Sequence, residues 1–207
     1  METVNHPVLG RLNATITPVR GDGDGQVADT IALMRGYVLA DRDSPQVQQA
    51  VQAALSRDPD PVNAVFQHVK GMVAFVQDAE IAQSWNDPDI VEVLIRPVDM
   101  VDLGSVAQGD CDDFVMLGSA MLLHLGIPVQ FVTVAADPRD PTRFSHIYLA
   151  AYVDGQRIPL DTSHGEYPGW EVPDDRVFTK REWRVERNPL AMALTLGAIY
   201  YVVSRYA

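Results

Sequence analysis

The stretch between positions 110 and 160 constrains the fold more than any other part of this chain. Asp110 is a good helix N-cap, and Gly126 followed by Pro128 supplies a left-handed stop that a helix does not pass. Three strand-like runs come next, and the turn Asp154-Gly155, a strong hairpin signal, joins the last two. A capped helix followed by an antiparallel meander is typical of α+β folds.

The remaining predicted elements follow from apolar periodicity and capping. One helix is capped by Asp29 and runs to about Ala40; two others begin at Ser44-Pro45 and Asp60-Pro61, and the last keeps its apolar stripe to Val76. The shorter elements are a strand at 11–19, a strand or helical turn at 90–95, a helix at 98–103, and strands at 129–135, 144–153 and 156–160. We therefore expect N-terminal helices packed on an antiparallel β-meander, with Cys111 at the start of a central helix.

Length and composition suit one domain with small appendages, since 207 residues with 47% apolar content can form one packed core. We predict an extension at 1–26, a domain at 27–187 and an apolar tail at 188–207. Residues 190–203 carry no charge and are shorter than the about 20 residues that cross a bilayer. A buried helix is expected there, with a surface for an assembly partner or a membrane as the alternative.

The charge and the cysteine usage exclude several classes of function. A net charge of −12 argues against a nucleic-acid partner, which needs clustered Lys and Arg. A single cysteine excludes an internal disulfide and a multi-thiolate zinc site. The first residues lack a basic start followed by an apolar run, so a secretory signal is not expected, and the predicted location is the cytoplasm or a phage particle.

No metal or other cofactor is predicted either. The stretch 21–25 is similar to the start of a calcium loop, but Leu33 stands where the bidentate glutamate belongs. The aspartates at 110, 112 and 113, together with His146, are the other candidate ligands. Neighbouring helical positions point about 100° apart, so Asp112 and Asp113 do not easily converge on one ion. First-turn acids are the simpler explanation.

Cys111 is the candidate nucleophile. At a helix start, unpaired N–H groups and the helix dipole stabilise a thiolate. The aspartates at 110, 112 and 113 act against this, so a nearby cation such as an imidazolium is needed. The alternative is a small buried hydrophobic residue.

The hairpin supplies a candidate histidine and a candidate carboxylate. A two-residue turn pairs Val153 with Gln156 and therefore sets Tyr148 opposite Asp161. His146 is then a diagonal neighbour of Asp161 on the same face, at a Cα separation of about 7–8 Å. Such a carboxylate can accept the imidazole N–H, fix its tautomer and favour its charged form.

The other histidines are weaker candidates. His124 lies at the far end of the central helix, roughly 20 Å from Cys111. His68 falls in a predicted core helix, and His6 lies near the first residue. His164, in the loop after the hairpin, is the serious rival, and ordinary loop polarity is the expected explanation for it.

Several segments together resemble the transglutaminase-like core, a superfamily distantly similar to papain. They are Gly109–Phe114, Leu125–Val129, Ser145–Tyr148, Val153–Gly155 and Pro159–Asp161, preceded by the similar segment Ile95–Met100. The resemblance covers about half the chain, between positions 61 and 161. It implies that Cys111 is the nucleophile, His146 the general base and then acid, and Asp161 the orienting residue. Thr162 departs from the family's pattern, which frequently has proline after the aspartate.

The expected function is acyl chemistry on amide bonds of a peptide or protein through a thioester. The backbone N–H of Cys111 is expected in the oxyanion hole, with Gln108 as a candidate second donor or an ordinary loop residue. Trp85 and Trp170 are candidates for a substrate groove or for the core. Hydrolysis is favoured over transamidation because no dedicated amine site is recognised. The alternative is a structural or assembly component, such as part of a bacteriophage particle, that docks through the tail.

Overall fold

A computed structural model describes residues 3–6, 10–20, 24–78, 80 and 90–186. The helices within these ranges are α1 (Asp24–Asp41), α2 (Pro45–Leu55), α3 (Pro61–Met72), α4 (Pro97–Leu103) and α5 (Cys111–His124). The strands are β1 (Thr3–His6), β2 (Gly10–Arg20), β3 (Ala74–Phe75), β4 (Ile90–Ile95), β5 (Gln108–Gly109), β6 (Val129–Ala135), β7 (His146–Val153), β8 (Gln156–Leu160) and β9 (Thr179–Arg184).

The four-stranded antiparallel sheet has the order β8-β7-β6-β9, which confirms the α+β class and the predicted meander. Its hairpin pairs Val153 with Gln156 and continues in register to Leu149 and Leu160. The turn residue Asp154 has φ 51° and Gly155 has φ 77°, the left-handed values that a two-residue turn requires. Strand β9 was not predicted, because its exposed and mostly charged residues lack an alternating apolar pattern.

Helix α5 is the centre of the molecule. It packs against α1, α2 and α3 and against β7, and every residue from Asp112 to Leu123 is buried. Gly118 permits the close approach to the sheet, since a Cβ there would lie 2.9 Å from Leu149 Cδ2. The N-terminus of this helix is therefore held rigidly at one edge of the core.

Most predicted helix boundaries agree with the structure. Ser44 and Asp60 cap α2 and α3, Asp110 caps α5, and Gly126 has a φ of 74°. The short helix predicted at 98–103 is α4, and the segment 90–95 is a strand rather than a helical turn.

Three predicted boundaries were wrong. Helix α1 starts at Asp24, so Asp29 lies inside it rather than at its cap. Helix α3 ends at Met72, and the apolar stripe does not continue as helix to Val76, because β3 pairs in parallel with β5. Strand β7 starts at His146 rather than at position 144.

The strand expected at 11–19 is present as β2, which pairs with β1 on one side and with β4 on the other. The predicted division into segments at 26 and 187 stays a prediction. The apolar tail at 190–203 lies outside the described residues. No helix among the residues that the structure describes is long and apolar enough to span a membrane.

A buried ion pair ties the end of α1 to the start of α4. Asp41, whose side chain is 2% exposed, accepts bonds from the Arg96 guanidinium and from the backbone N–H of Val98 at 3.4 Å. The hydrogen bond with Asp41 is the main reason why the pKa of Arg96 is raised. Removal of the carboxylate therefore leaves a partly buried cation without its partner.

We expect Asp41→Asn to lower the free energy of unfolding by about 3 kcal/mol, since loss of one member of a buried pair costs more than the pair contributes. Urea denaturation measures this change. Asp43→Asn is the matched control, because the Asp43 side chain is 71% exposed and its loss is expected to change stability by less than about 0.5 kcal/mol. Equal effects of the two substitutions would contradict this account of the ion pair.

Candidate active site

His146 and Asp161 meet at the open end of the hairpin. The distance from His146 Nε2 to Asp161 Oδ2 is 2.7 Å, and the Asp161 side chain is 0% exposed while that of His146 is 11% exposed. The observed register places them there, since Asp161 directly follows Leu160, the partner of Leu149. With Nε2 engaged by the carboxylate, Nδ1 is the ring nitrogen left to exchange a proton with another group.

The buried carboxyl of Asp161 favours its ionised form. Burial raises its pKa, but the hydrogen bond and the charge of His146, together with the bonds from the His164 N–H and the Ser163 hydroxyl, outweigh burial, so the pKa lies below its usual value. The carboxylate is therefore a permanent anion near neutral pH. It can orient the imidazole and stabilise the imidazolium.

The turn after β8 satisfies the other oxygen of this carboxylate. Asp161 Oδ1 accepts from Ser163 Oγ at 3.0 Å and from the backbone N–H of His164 at 2.9 Å. The backbone N–H of Gly165 donates to the Asp161 carbonyl at 2.8 Å, and Lys70 Nζ of α3 donates to the Gly165 carbonyl at 2.7 Å. The turn is closed by these bonds, although the residue after the aspartate is threonine rather than proline.

Two further rings flank His146. The His164 ring lies 4.8 Å away, centroid to centroid, in an edge-on arrangement, and the Tyr148 ring lies 6.0 Å away. The Tyr148 hydroxyl donates to Glu171 at 2.6 Å, and Arg157 binds the same carboxylate. Burial and the hydrogen bond to Glu171 raise the pKa of Tyr148, so it stays a neutral donor.

Cys111 is the first residue of α5 and is half-buried against the core. It follows the parallel pair formed by Phe75 of β3 and Gly109 of β5. The Phe75 ring contacts Phe114, one helical turn after the cysteine, at 6.3 Å, and contacts His164 at 5.0 Å. The nucleophile's helix and the histidine strand are therefore linked through a chain of packed rings.

The acids around Cys111 have structural contacts. The Asp110 side chain accepts from the backbone N–H of Asp112 at 3.4 Å, and Asp112 Oδ1 accepts from the N–H of Asp113 at 2.9 Å. Asp113 Oδ1 accepts from the N–H of Ile95 at 2.7 Å, which ties β4 to α5. Asp112 and Asp113 are buried rather than exposed first-turn acids.

The structure describes two of the three candidates for the oxyanion hole and the substrate groove. Gln108 lies in β5 opposite Ala74 and is half-buried. Trp170 is half-buried against the turn after β8, where a Cβ on Gly165 would lie 3.1 Å from its Cε3 atom. Trp85 lies outside the described residues.

Two clusters bring possible metal ligands within 4.8 Å of one another, His146 with Asp161 and His164, and Asp78 with Asp110 and Asp113. In the first, both oxygens of Asp161 already accept hydrogen bonds. In the second, Asp78 and Asp113 each accept from a backbone N–H of β4. These bonds occupy both oxygens of Asp161 and one oxygen each of Asp78 and Asp113.

His164 is the residue whose position the sequence did not reveal. Ordinary loop polarity was expected, but the structure places its ring between His146 and Phe75. The N–H of His164 donates to Asp161 within the local turn, but that backbone bond does not place the ring. No local pattern predicts the ring contact between positions 146 and 164.

No family model and no curated protein matches this chain. Among solved structures, a protein from Cytophaga hutchinsonii provisionally assigned as a cysteine protease has a TM-score of 0.43 and 17% identity, over 81% of this chain and 54% of the other. A TGase has a TM-score of 0.39 and 15% identity, over 74% of this chain and 36% of the other.

A third similar structure is that of Rad4-Rad23 bound to a 6-4 photoproduct UV lesion, with a TM-score of 0.40 and 10% identity over 66% of this chain and 37% of the other. The chain spans about half the length of the first of these proteins and little more than a third of the other two. With TM-scores below 0.5, these similarities give no activity, substrate or residue role to this chain.

Proposed function

We propose that this protein is a thiol-dependent hydrolase of amide bonds in a peptide or protein substrate. The observation that carries the proposal is the 2.7 Å bond between His146 and the fully buried Asp161. A buried carboxylate on an imidazole is the arrangement that prepares a histidine to act as base and then as acid. The only cysteine of the chain starts the central helix, where a thiolate is favoured.

The proposed reaction has two stages. Cys111, ionised by transfer of its proton to His146 Nδ1, attacks the amide carbonyl carbon, and the C–N bond breaks as the imidazolium protonates the leaving amine. The resulting thioester is then attacked by water, which His146 deprotonates, and the acid product leaves with the thiolate restored. Asp161 stays ionised throughout and holds the ring in one tautomer.

The developing oxyanion needs donors on the other side of the carbonyl. The backbone N–H of Cys111 and the side chain of Gln108 are the proposed donors. The amides of Asp112 and Asp113 already donate to neighbouring carboxylates, which removes them from consideration. Water is the proposed acceptor because no site for a second amine is recognised among the described residues.

Thiol alkylation tests this proposal without a known substrate. We expect iodoacetamide to label Cys111 at pH 6 at least tenfold faster than it labels free cysteine, because an imidazolium keeps the thiol ionised below its usual pKa of about 8.5. His146→Gln is expected to return the rate and its pH dependence to those of a free thiol. A labelling profile in wild type that follows free cysteine would refute the thiolate.

A peptide-library cleavage profile then identifies the substrate. Cys111→Ala is expected to lower the rate of cleavage at least about a thousandfold. The matched control is His124→Ala, at the opposite end of α5, where the imidazole Nδ1 lies 3.3 Å from Asp43 Oδ1. Cleavage that survives in Cys111→Ala would come from another group or from a contaminant.

A further inference from the structure

Four rings form a continuous row beside the candidate active site. His146 contacts His164 at 4.8 Å with an interplanar angle of 80°, and His164 contacts Phe75 at 5.0 Å with an angle of 73°. Phe75 in turn contacts Phe114 of α5 at 6.3 Å. His164 is thus the ring that connects the candidate base to the helix that carries the candidate nucleophile.

The backbone holds His164 in this place. Its N–H donates to Asp161 Oδ1, the carboxylate whose other oxygen binds His146. The next residue, Gly165, is bonded to the Asp161 carbonyl through its N–H and to Lys70 through its own carbonyl. A displacement of His164 would therefore disturb the same turn that orients Asp161.

Hydrogen bonding also sets the tautomer of His164. Ser163 Oγ donates its single proton to Asp161 Oδ1 and lies 2.9 Å from His164 Nδ1. Since that hydroxyl proton is used, Nδ1 must be the donor to Ser163 Oγ. The neutral ring then carries its proton on Nδ1, and Nε2 is the atom that would take up a second proton.

The charged groups that face His164 come from four elements. They are His146 of β7, Asp161 after β8, Lys70 of α3 and Asp110 at the cap of α5. Partial desolvation of the ring and the charge of His146 lower the pKa of His164, Lys70 acts in the same direction, and the two carboxylates oppose them. A positive charge on His146 therefore disfavours a second positive charge on His164.

We propose that His164 is a positioning residue, whose ring supports the His146 ring edge-on in the orientation that Asp161 sets. The expected effect of His164 on kcat rests on the proposed thiol chemistry. The support of the His146 ring by the His164 ring does not depend on that chemistry. Asp161 holds one atom of the His146 ring, Nε2, through one hydrogen bond. The plane of the ring can still rotate about that hydrogen bond. The edge-on contact removes this freedom, which matters because small misplacements of a catalytic group are costly.

The kinetic test compares His164→Ala with His164→Phe. His164 reaches the solvent at the edge of the site, so its truncation leaves the core intact. We expect His164→Ala to lower kcat about tenfold with KM unchanged, and His164→Phe, which restores a ring, to recover most of the loss. His124→Ala changes a half-buried histidine at the far end of α5, and this control is expected to match wild type. Wild-type kcat in His164→Ala, or a change in KM alone, would overturn the positioning role.

A second measurement does not depend on any activity. Imidazole nitrogen NMR reports the exchange rate of the His146 Nε2 proton that is bonded to Asp161. We expect faster exchange in His164→Ala and the wild-type rate in His164→Phe. In His146→Gln the pKa of His164 is expected to rise, since the neighbouring positive charge is gone.

The two proposals fail separately. Unchanged exchange in His164→Ala together with an unchanged His164 titration in His146→Gln would overturn the positioning role, whatever the enzyme does. Free-thiol alkylation in wild type, with the NMR changes present, would overturn the thiol chemistry and leave the ring contact established.

Discussion

Asp161→Asn is expected to reduce amide cleavage by about a thousandfold or more while leaving the protein folded. The amide oxygen of asparagine must replace Asp161 Oδ1, which accepts from Ser163 and from the N–H of His164. The amide nitrogen then faces His146 Nε2 and donates to it. This forces the imidazole proton onto Nδ1, so Nδ1 can no longer accept the thiol proton, and the imidazolium loses its counter-charge.

Activity and alkylation of Cys111 at pH 6 measure the effect of this substitution, and circular dichroism confirms the fold. Asp154→Asn is the matched control, because it makes the same change in the hairpin turn, where Asn also tolerates the φ of 51°. It is expected to match wild type. If Asp161→Asn retained activity within threefold of wild type, the carboxylate would have no role in orienting His146.

The second large effect is expected from Gly165→Ala. A Cβ at this position would lie 2.5 Å from the Asp161 carbonyl oxygen and 3.2 Å from the Asp161 Cβ. The glycine cannot move away, because its N–H is bonded to that same carbonyl and its own carbonyl is bonded to Lys70. We expect the free energy of unfolding to fall by about 3 kcal/mol.

Chemical denaturation and Cys111 alkylation measure this effect together. The displaced turn carries both Asp161 and His164, so the alkylation rate at pH 6 is expected to fall with stability. Gly36→Ala in α1 is the control, since nothing lies within 4 Å of a Cβ there and the substitution is expected to stabilise the helix by up to about 1 kcal/mol. A stable Gly165→Ala protein with normal alkylation would show that the turn is not tightly packed.

Local chemistry predicted the part of the site that lies on the hairpin. The two-residue turn at Asp154-Gly155 fixes the pairing of β7 with β8 within a few residues, and this register led to the expected neighbourhood of His146 and Asp161. The cap at Asp110 was equally readable, because a cap side chain bonds to amides two or three residues away.

Contacts between distant segments were not readable in the same way. The pairing of Phe75 with Gly109 ends α3 early, although the apolar stripe continues through that point. The hydrogen bond from the Ile95 N–H to Asp113 makes a first-turn acid part of the core. Neither follows from periodicity, since each partner lies on another element.

The amino-acid sequence by itself determined the helix start at Cys111, the hairpin and its register, because turns and caps are decided by residues within a few positions of one another. Only the tertiary structure decided that Lys70 of α3 holds the turn after Asp161 and that His164 lies against His146. The physical reason is that such contacts depend on how whole elements pack, and packing joins side chains whose separation along the chain carries no local signal.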